Sequence, residues 1–138
     1  MNSDFIVAVH ALVFLHHKQE TLSSEMIAEN VCTNPVRVRR VMARLGKAGL
    51  VETRRGCAYG GYCYKKTGPV TLRQLADALD IHFVDITWRS GDPHMECRIA
   101  SGMTGYMDSL FTQLDALCKS RLEQITIAEI EKELFQNL

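Results

Sequence analysis

The sequence contains no apolar run approaching 18 residues, which excludes a membrane-spanning helix. It also lacks the basic stretch, apolar run and small-residue cleavage site that mark a secretory signal. We therefore expect a cytoplasmic protein with no membrane partner, in which the five cysteines are mostly reduced. The length of 138 residues predicts one compact domain, or one small domain with a dimerisation arm.

Patterns that would indicate catalysis are missing too. The sequence shows no Ser/His/Asp spacing, no paired carboxylates and no glycine-rich phosphate loop. Its five histidines are scattered, and histidines in such an arrangement more often pack or face solvent than bind ligands. There are no internal repeats or low-complexity segments. We predict a folded protein that is not an enzyme.

The formal net charge is zero, but the charge is unevenly distributed. Residues 1–66 hold ten Lys/Arg and five Asp/Glu, whereas residues 67–138 hold six Lys/Arg and eleven Asp/Glu. A locally basic half can bind a phosphate backbone even in a neutral protein, because this binding depends on the electric field near the basic surface and not on the net charge. The alternative is ordinary surface scatter, which the clustering of the basic residues within one motif disfavours.

Apolar spacing and turn residues predict a mainly α-helical fold with a small β wing. Ser23 or Ser24 can cap the second helix, and Thr33 or Asn34 can cap the third. We predict a winged helix-turn-helix DNA-binding domain over residues 1–80 and a dimerisation region over 81–138. The predicted helices cover about 3–17, 24–30, 35–48, 72–79, 97–122 and 126–135, and the predicted strands cover 50–55 and 62–66.

The third predicted helix has the pattern of a DNA recognition helix. Its apolar residues are spaced to face a core, and its arginines fall on the other side. Arginine is the side chain that best grips guanine edges or phosphates through two parallel hydrogen bonds. No Glu lies four residues before these arginines on the helix to pair with them, which favours DNA contact over a solvated face. The inward set is Val38, Val41, Met42 and Leu45, and the outward set is Arg37, Arg39, Arg40 and Arg44.

The predicted hairpin carries basic residues around the glycine pair Gly60-Gly61, which supplies the positive φ angles of a tight turn. A narrow minor groove attracts inserted Arg or Lys, although a plain solvent-exposed hairpin is the alternative. Tyr59 and Tyr62 either pack on a sugar or cover the hairpin. The complete predicted DNA-binding set is Asn34, Arg37, Arg39, Arg40, Arg44, Arg54, Arg55, Tyr59, Gly60, Gly61, Lys65 and Lys66.

The long helix carries an apolar stripe that a domain of this size cannot bury alone. We therefore predict a homodimer whose interface is formed by this helix. The interface residues recur at steps of three or four: Ile99, Met103, Tyr106, Leu110, Leu114 and Leu117.

Six segments of the sequence match the motifs of a known protein family in the same order. They are SDFIVAVHALVFL, TNPVRVRRVMARLGKAGLVETRRG, YGGYCYKK, VTLRQLADAL, HMECRIASGM and ITIAEI. Together they resemble the Rrf-two (Rrf2) family of bacterial winged-helix transcription regulators over almost the whole chain. The best matches are the run Arg44–Val51, the Gly60-Gly61 wing and the single Cys97 before the long helix. The resemblance implies a homodimeric regulator, usually a repressor, that binds a palindromic double-stranded DNA operator. It also implies that the long helix crosses to the partner subunit.

Family members that hold an iron–sulfur cluster carry three closely spaced cysteines before the long helix, where this sequence has only Cys97. The resemblance is therefore to the cluster-free type, and we expect no cofactor and no metal site. Cys57 and Cys63 lack the second cysteine pair of a zinc ribbon, but a disulfide between them across the wing is an open alternative. Cys118 falls within an apolar stripe and is expected in the core.

Two cysteines are candidates for thiol-based redox or electrophile sensing. Cys97 falls at the start of the long helix, and Cys32 just precedes the recognition helix. A helix N-terminus lowers the pKa of a thiol and favours the reactive thiolate. For both, a small buried apolar side chain is the alternative.

The predicted function is a homodimeric, sequence-specific DNA-binding transcription repressor, with redox or electrophile sensing through Cys97, either alone or together with Cys32. One alternative is an iron–sulfur or other metal-dependent sensor of the same fold. A further alternative is a winged-helix module that binds protein and not DNA, which would show no salt-dependent retention on duplex DNA.

Overall fold

A computed structural model describes residues 2–54, 61–64 and 68–137. Within these ranges the fold is mainly helical with one small antiparallel sheet, which confirms the predicted fold class. No helix in the described ranges is long and apolar enough to cross a membrane. The elements are α1 Asn2–Lys18, α2 Ser24–Val31, α3 Pro35–Lys47, β1 Val51–Arg54, β2 Gly61–Tyr64, α4 Leu72–Ala78, α5 Arg98–Leu122 and α6 Ile127–Gln136.

The helix boundaries follow from side chains that satisfy the first free amides of each helix. The Ser23 hydroxyl accepts from the amide of Met26 at 3.2 Å, and Asn34 Oδ1 accepts from the amide of Arg37 at 2.8 Å. Ser23 and Asn34 are thus the caps, where the sequence left two choices for each. Gly49, at φ 76°, ends α3 as predicted.

The core lies between α1, α2, α3 and α4, and Ile127 of α6 closes it. Helix α1 buries only part of its apolar surface. Leu12 is fully buried, but Phe5 and Val9 are half-buried at the edge. The small side chains of Ala8 and Ala11, with Leu12, bring the fully buried face of α1 close to its neighbours instead.

The wing differs from the predicted tight hairpin. The register pairs Arg54 with Gly61, so residues 55–60 separate the paired ends. Gly61 lies within β2 and has no positive φ, and Gly60 lies outside the described residues. Gly61 is needed for another reason, because a Cβ there would overlap the carbonyl of Leu22. Leu22 bonds to Tyr62 through both backbone groups, at 2.9 and 2.8 Å.

Helix α5 contacts its own chain along one side. Asp115, on that side, accepts backbone hydrogen bonds from Phe83 at 2.7 Å and Val84 at 3.2 Å. Nearer the N-terminus, the Thr104 hydroxyl donates to the carbonyl of Ser90 at 2.9 Å. Segment 82–90 therefore covers this side, and the apolar stripe of α5 lies on the other.

Candidate nucleic-acid interface

Helix α3 presents two chemically distinct faces. Val38, Val41, Met42 and Leu45 are all buried, as their spacing predicts. Their burial fixes the rotation of the helix, so that the arginines on the opposite side point away from the core. Among these, Arg40 has 61% of its side chain exposed, and Arg44 is exposed. The helix therefore offers solvent a surface rich in hydrogen-bond donors.

No Glu precedes these arginines by four residues on α3, but Arg37, Arg39 and Arg40 pair with carboxylates of other helices. Arg39 lies 3.5 Å from Glu25 of α2 and also donates to the hydroxyl of Ser24 at 3.0 Å. In the part of the chain that the structure describes, Arg44 makes no ion pair.

Asp4 of α1 pairs with two of the arginines at once. Its Oδ1 accepts from Arg37 Nε at 3.0 Å and from Arg40 Nη2 at 3.1 Å, and its Oδ2 lies 3.3 Å from the same Nη2. Partial burial acts to raise the pKa of Asp4, but the hydrogen bonds and positive charges of Arg37 and Arg40 hold that pKa below its usual value. Sequence reasoning missed Asp4; its only signal is an acidic residue in the first turn of α1.

The described part of the wing places one predicted DNA-binding arginine next to a cysteine. Arg54 Nε donates to Cys63 Sγ at 3.4 Å, and Cys63 is buried in the hairpin. Tyr62 is half-buried against the core, which favours its role as a cover for the hairpin. Five other predicted wing residues lie outside the described residues: Arg55, Tyr59, Gly60, Lys65 and Lys66. Cys57, for which a disulfide with Cys63 was one alternative, lies outside them too.

The remaining cysteines occupy different environments. Cys97 is exposed at the N-cap of α5, where the backbone amides of Ala100 and Ile99 lower the pKa of its thiol. Cys32 is exposed, but it caps the C-terminal end of α2 at φ 66° rather than entering the first turn of α3. Cys118 is half-buried and not in the core, so that prediction is wrong. It lies on α5, where only Asp115 is buried.

The residues predicted for the dimer interface are not buried by their own chain. Ile99 is 75% exposed, Tyr106 is 67% exposed and Leu117 is 66% exposed. Met103 and Leu114 are exposed to a smaller degree, and Leu110 is half-buried. By helical periodicity these side chains lie away from Asp115 on α5, although Met103 also lines a pocket with Trp88 and Ser90 of segment 82–90.

Comparison with known proteins identifies the family of this chain. The sequence model of the Rrf2 family, described as iron-dependent transcriptional regulators, matches residues 1–133. The chain belongs to the Rrf2 family. Rrf2 proteins are transcription regulators and not enzymes, as the absence of catalytic patterns predicted.

Relatives of this Rrf2 chain match nearly its full length. It is 27% identical to YwnA of Bacillus subtilis (strain 168), named an HTH-type transcriptional regulator, over 98% of this chain and 99% of that protein. A transcriptional regulator from Lactobacillus plantarum has a similar structure, with a TM-score of 0.83, 25% identity, and coverage of 97% and 91%. CymR, the global cysteine regulator of B. subtilis, shares the fold, with a TM-score of 0.68, 18% identity and 96% of each chain covered.

The iron in the description of the Rrf2 family can be tested against the donors in this chain. An iron–sulfur cluster commonly needs about four protein ligands, mostly cysteines. Cys97 has no second cysteine near it in sequence. Within residues 2–54, 61–64 and 68–137, no three His, Cys, Asp or Glu side chains form a group that could hold a metal ion. The described side chains of this chain therefore do not fit such a cluster.

Proposed function

We propose that this protein is a homodimeric, sequence-specific DNA-binding transcription repressor that acts in the cytoplasm. The observation that carries the proposal is the division of α3 into a buried apolar face and an exposed arginine face. A helix-turn-helix protein inserts its second helix into the major groove while its other face stays on the core. Membership in a family of transcription regulators supports the same function.

Several exposed arginines would contact the DNA. Arg44, which has no ion pair among the described residues, is available to a phosphate or a guanine edge. Arg37, Arg39 and Arg40 have donors left over from their ion pairs, since a guanidinium carries five N–H groups. Asn34 uses its carbonyl oxygen as the cap of α3, which leaves its amide donors for a phosphate. Arg54 and the basic residues beyond the described wing would extend contact towards the minor groove.

Dimerisation follows from the apolar side of α5. Exposed large side chains on one helix favour association, because water is excluded when two such surfaces meet. A symmetric dimer presents two α3 helices and therefore reads a palindromic operator, with half-sites about 34–36 Å apart. In this proposal residues 1–80 bind DNA and residues 81–138 set the spacing of the two DNA-binding domains.

Chemical modification of Cys97 would change the geometry of this proposed dimer. Its exposed thiol has a lowered pKa and lies at the start of the helix that would join the subunits. Modification there by an oxidant or electrophile would alter the dimer arm and so the distance between recognition helices. In a crossed dimer, Cys32 of the partner subunit is the candidate for a disulfide, provided that the Cα atoms approach within about 7 Å.

Selection of sites from random duplex DNA with the purified protein tests DNA recognition directly. We expect one palindromic sequence to be enriched, and Arg40→Ala to weaken its binding by about 1–3 kcal/mol, the range for one bidentate base contact. Lys132→Ala is the matched control, because it removes an exposed positive charge from α6, away from α3. Failure to enrich any sequence, together with no salt-dependent binding to duplex DNA, would contradict the proposal.

A further inference from the structure

One carboxylate on α1 holds two arginines of the recognition helix. Asp4 lies in the first turn of α1, only 19% of its side chain is exposed, and it contacts Arg37 and Arg40 within 3.3 Å. In the described ranges no other carboxylate pairs with either arginine. The contact links two helices that also pack through the core, so it ties the arginine side chains to the rigid part of the domain.

The geometry leaves both guanidinium groups able to bind DNA. Arg37 engages Asp4 through Nε, and Arg40 engages it through one terminal nitrogen, Nη2. Each therefore retains N–H donors of its planar fork for a base edge or a phosphate. A side chain already held in one orientation loses less conformational entropy when it binds, and a wrong base meets donors that do not readily reorient.

The negative charge of Asp4 also favours specific over nonspecific DNA binding. Attraction to the phosphate backbone depends on the local positive charge and not on the base sequence. One carboxylate between two arginines offsets part of that charge and leaves the directional hydrogen bonds in place. We propose that Asp4 is a positioning residue that raises DNA sequence specificity by orienting Arg37 and Arg40 and by lowering their attraction to nonspecific DNA. This inference rests on the proposed DNA-binding function.

The test compares Asp4→Asn with wild type on two duplexes: the one that wild-type protein selects from random DNA, and the same duplex with its half-sites shuffled. Asn keeps the size of the side chain but removes its charge. We expect the variant to bind the shuffled duplex more tightly and to lose about fivefold or more in its preference for the selected duplex, the low end for one base contact. The plot of log affinity against log salt should steepen by up to about 0.9.

Matched variants separate this role from a purely structural one. Glu133→Gln removes an exposed carboxylate from α6, away from α3, and should leave both the preference between duplexes and the salt dependence unchanged. Asp4→Glu keeps the charge but displaces it, so the salt dependence should match wild type while the preference falls. In a background of Arg37→Ala and Arg40→Ala, Asp4→Asn should have no further effect on preference.

The possible results distinguish failure of this inference from failure of the proposed function. If wild type selects a sequence and Asp4→Asn keeps both its preference and its salt dependence, the inference is wrong and the proposed function stands. If wild type selects no sequence, the proposed function itself fails. Loss of helical circular dichroism in both Asp4 variants would assign Asp4 to folding and would also overturn the inference.

Discussion

Gly61 and Leu22 approach each other so closely that any side chain at Gly61 would overlap the carbonyl of Leu22. The two segments are joined by the backbone hydrogen bonds of Leu22 with Tyr62. The connection between α1 and α2 thus forms a single antiparallel β-bridge with β2. The position of the wing relative to the helices depends on this contact.

Replacing Gly61 with Ala should therefore displace β2 from Leu22. We expect the free energy of unfolding to fall by about 1–3 kcal/mol, the usual cost of forcing extra atoms into a packed site. Gly46→Ala is the control, because its added Cβ would lie 4.0 Å from the carbonyl oxygen of Val51, and Ala is favoured over Gly in a helix. Urea denaturation at one fixed protein concentration measures both. Equal stability of the two variants would show that the close approach does not constrain the wing.

The exposed stripe of α5 predicts the effect of charge at the proposed subunit interface. Tyr106→Glu combined with Leu117→Glu should convert a dimer to monomers at micromolar concentration, because burial of an unpaired carboxylate is costly. Operator affinity should fall with it, since the two half-sites are then read separately. Ala116→Glu, exposed on another side of α5, should leave the dimer intact. Sedimentation showing that wild type is a monomer at this concentration would contradict the prediction.

Cys97 should be the more reactive of the two candidate sensor thiols near neutral pH. The amides at the start of α5 favour its thiolate, which is the form that attacks electrophiles. Mass spectrometry after brief alkylation should find Cys97 modified before Cys32. Mild oxidant should change operator affinity in wild type and not in Cys97→Ser, whereas Cys32→Ser separates the disulfide version from the single-thiol version. An unchanged response in Cys97→Ser would exclude a switch at this site.

Asp115 should make stability depend on acid pH. Burial acts to raise the pKa of Asp115, but hydrogen bonds from His82, Val84 and Phe83 hold that pKa below its ordinary value of 3.8. A lowered pKa stabilises the fold above about 3.8, and that contribution is lost as pH falls through the lower folded value. Asp115→Asn should reduce stability at pH 7 by about 1–3 kcal/mol and flatten the acid decline.

Asp108→Asn, on the same helix, is the comparison for Asp115. Its carboxylate is 43% exposed and pairs with Arg89 at 2.9 Å at the surface, so its loss should cost less than 1 kcal/mol. Urea denaturation at pH 7 measures the loss of unfolding free energy in both variants. Equal losses would show that the buried contacts of Asp115 with segment 82–84 stabilise the fold no more than the surface pair of Asp108 does.

The sequence by itself determined the helices and the inward face of α3, and it limited the caps of α2 and α3 to two candidates each. These depend on local spacing: Val38, Val41 and Leu45 recur at the helical period, and Asn34, Thr71 and Thr126 satisfy amides three residues away. The resemblance to the Rrf2 family likewise depended on the order of short local motifs, and comparison over residues 1–133 confirmed it.

Only the tertiary structure decided how elements distant in sequence meet. It paired Asp4 with Arg37 and Arg40, and it assigned Gly61 to a close contact with Leu22 rather than to a turn. It also showed that α5 turns Asp115 towards its own chain and leaves Tyr106 exposed. Periodicity identifies which residues share a face, but the partner of that face is set by packing between elements far apart in sequence.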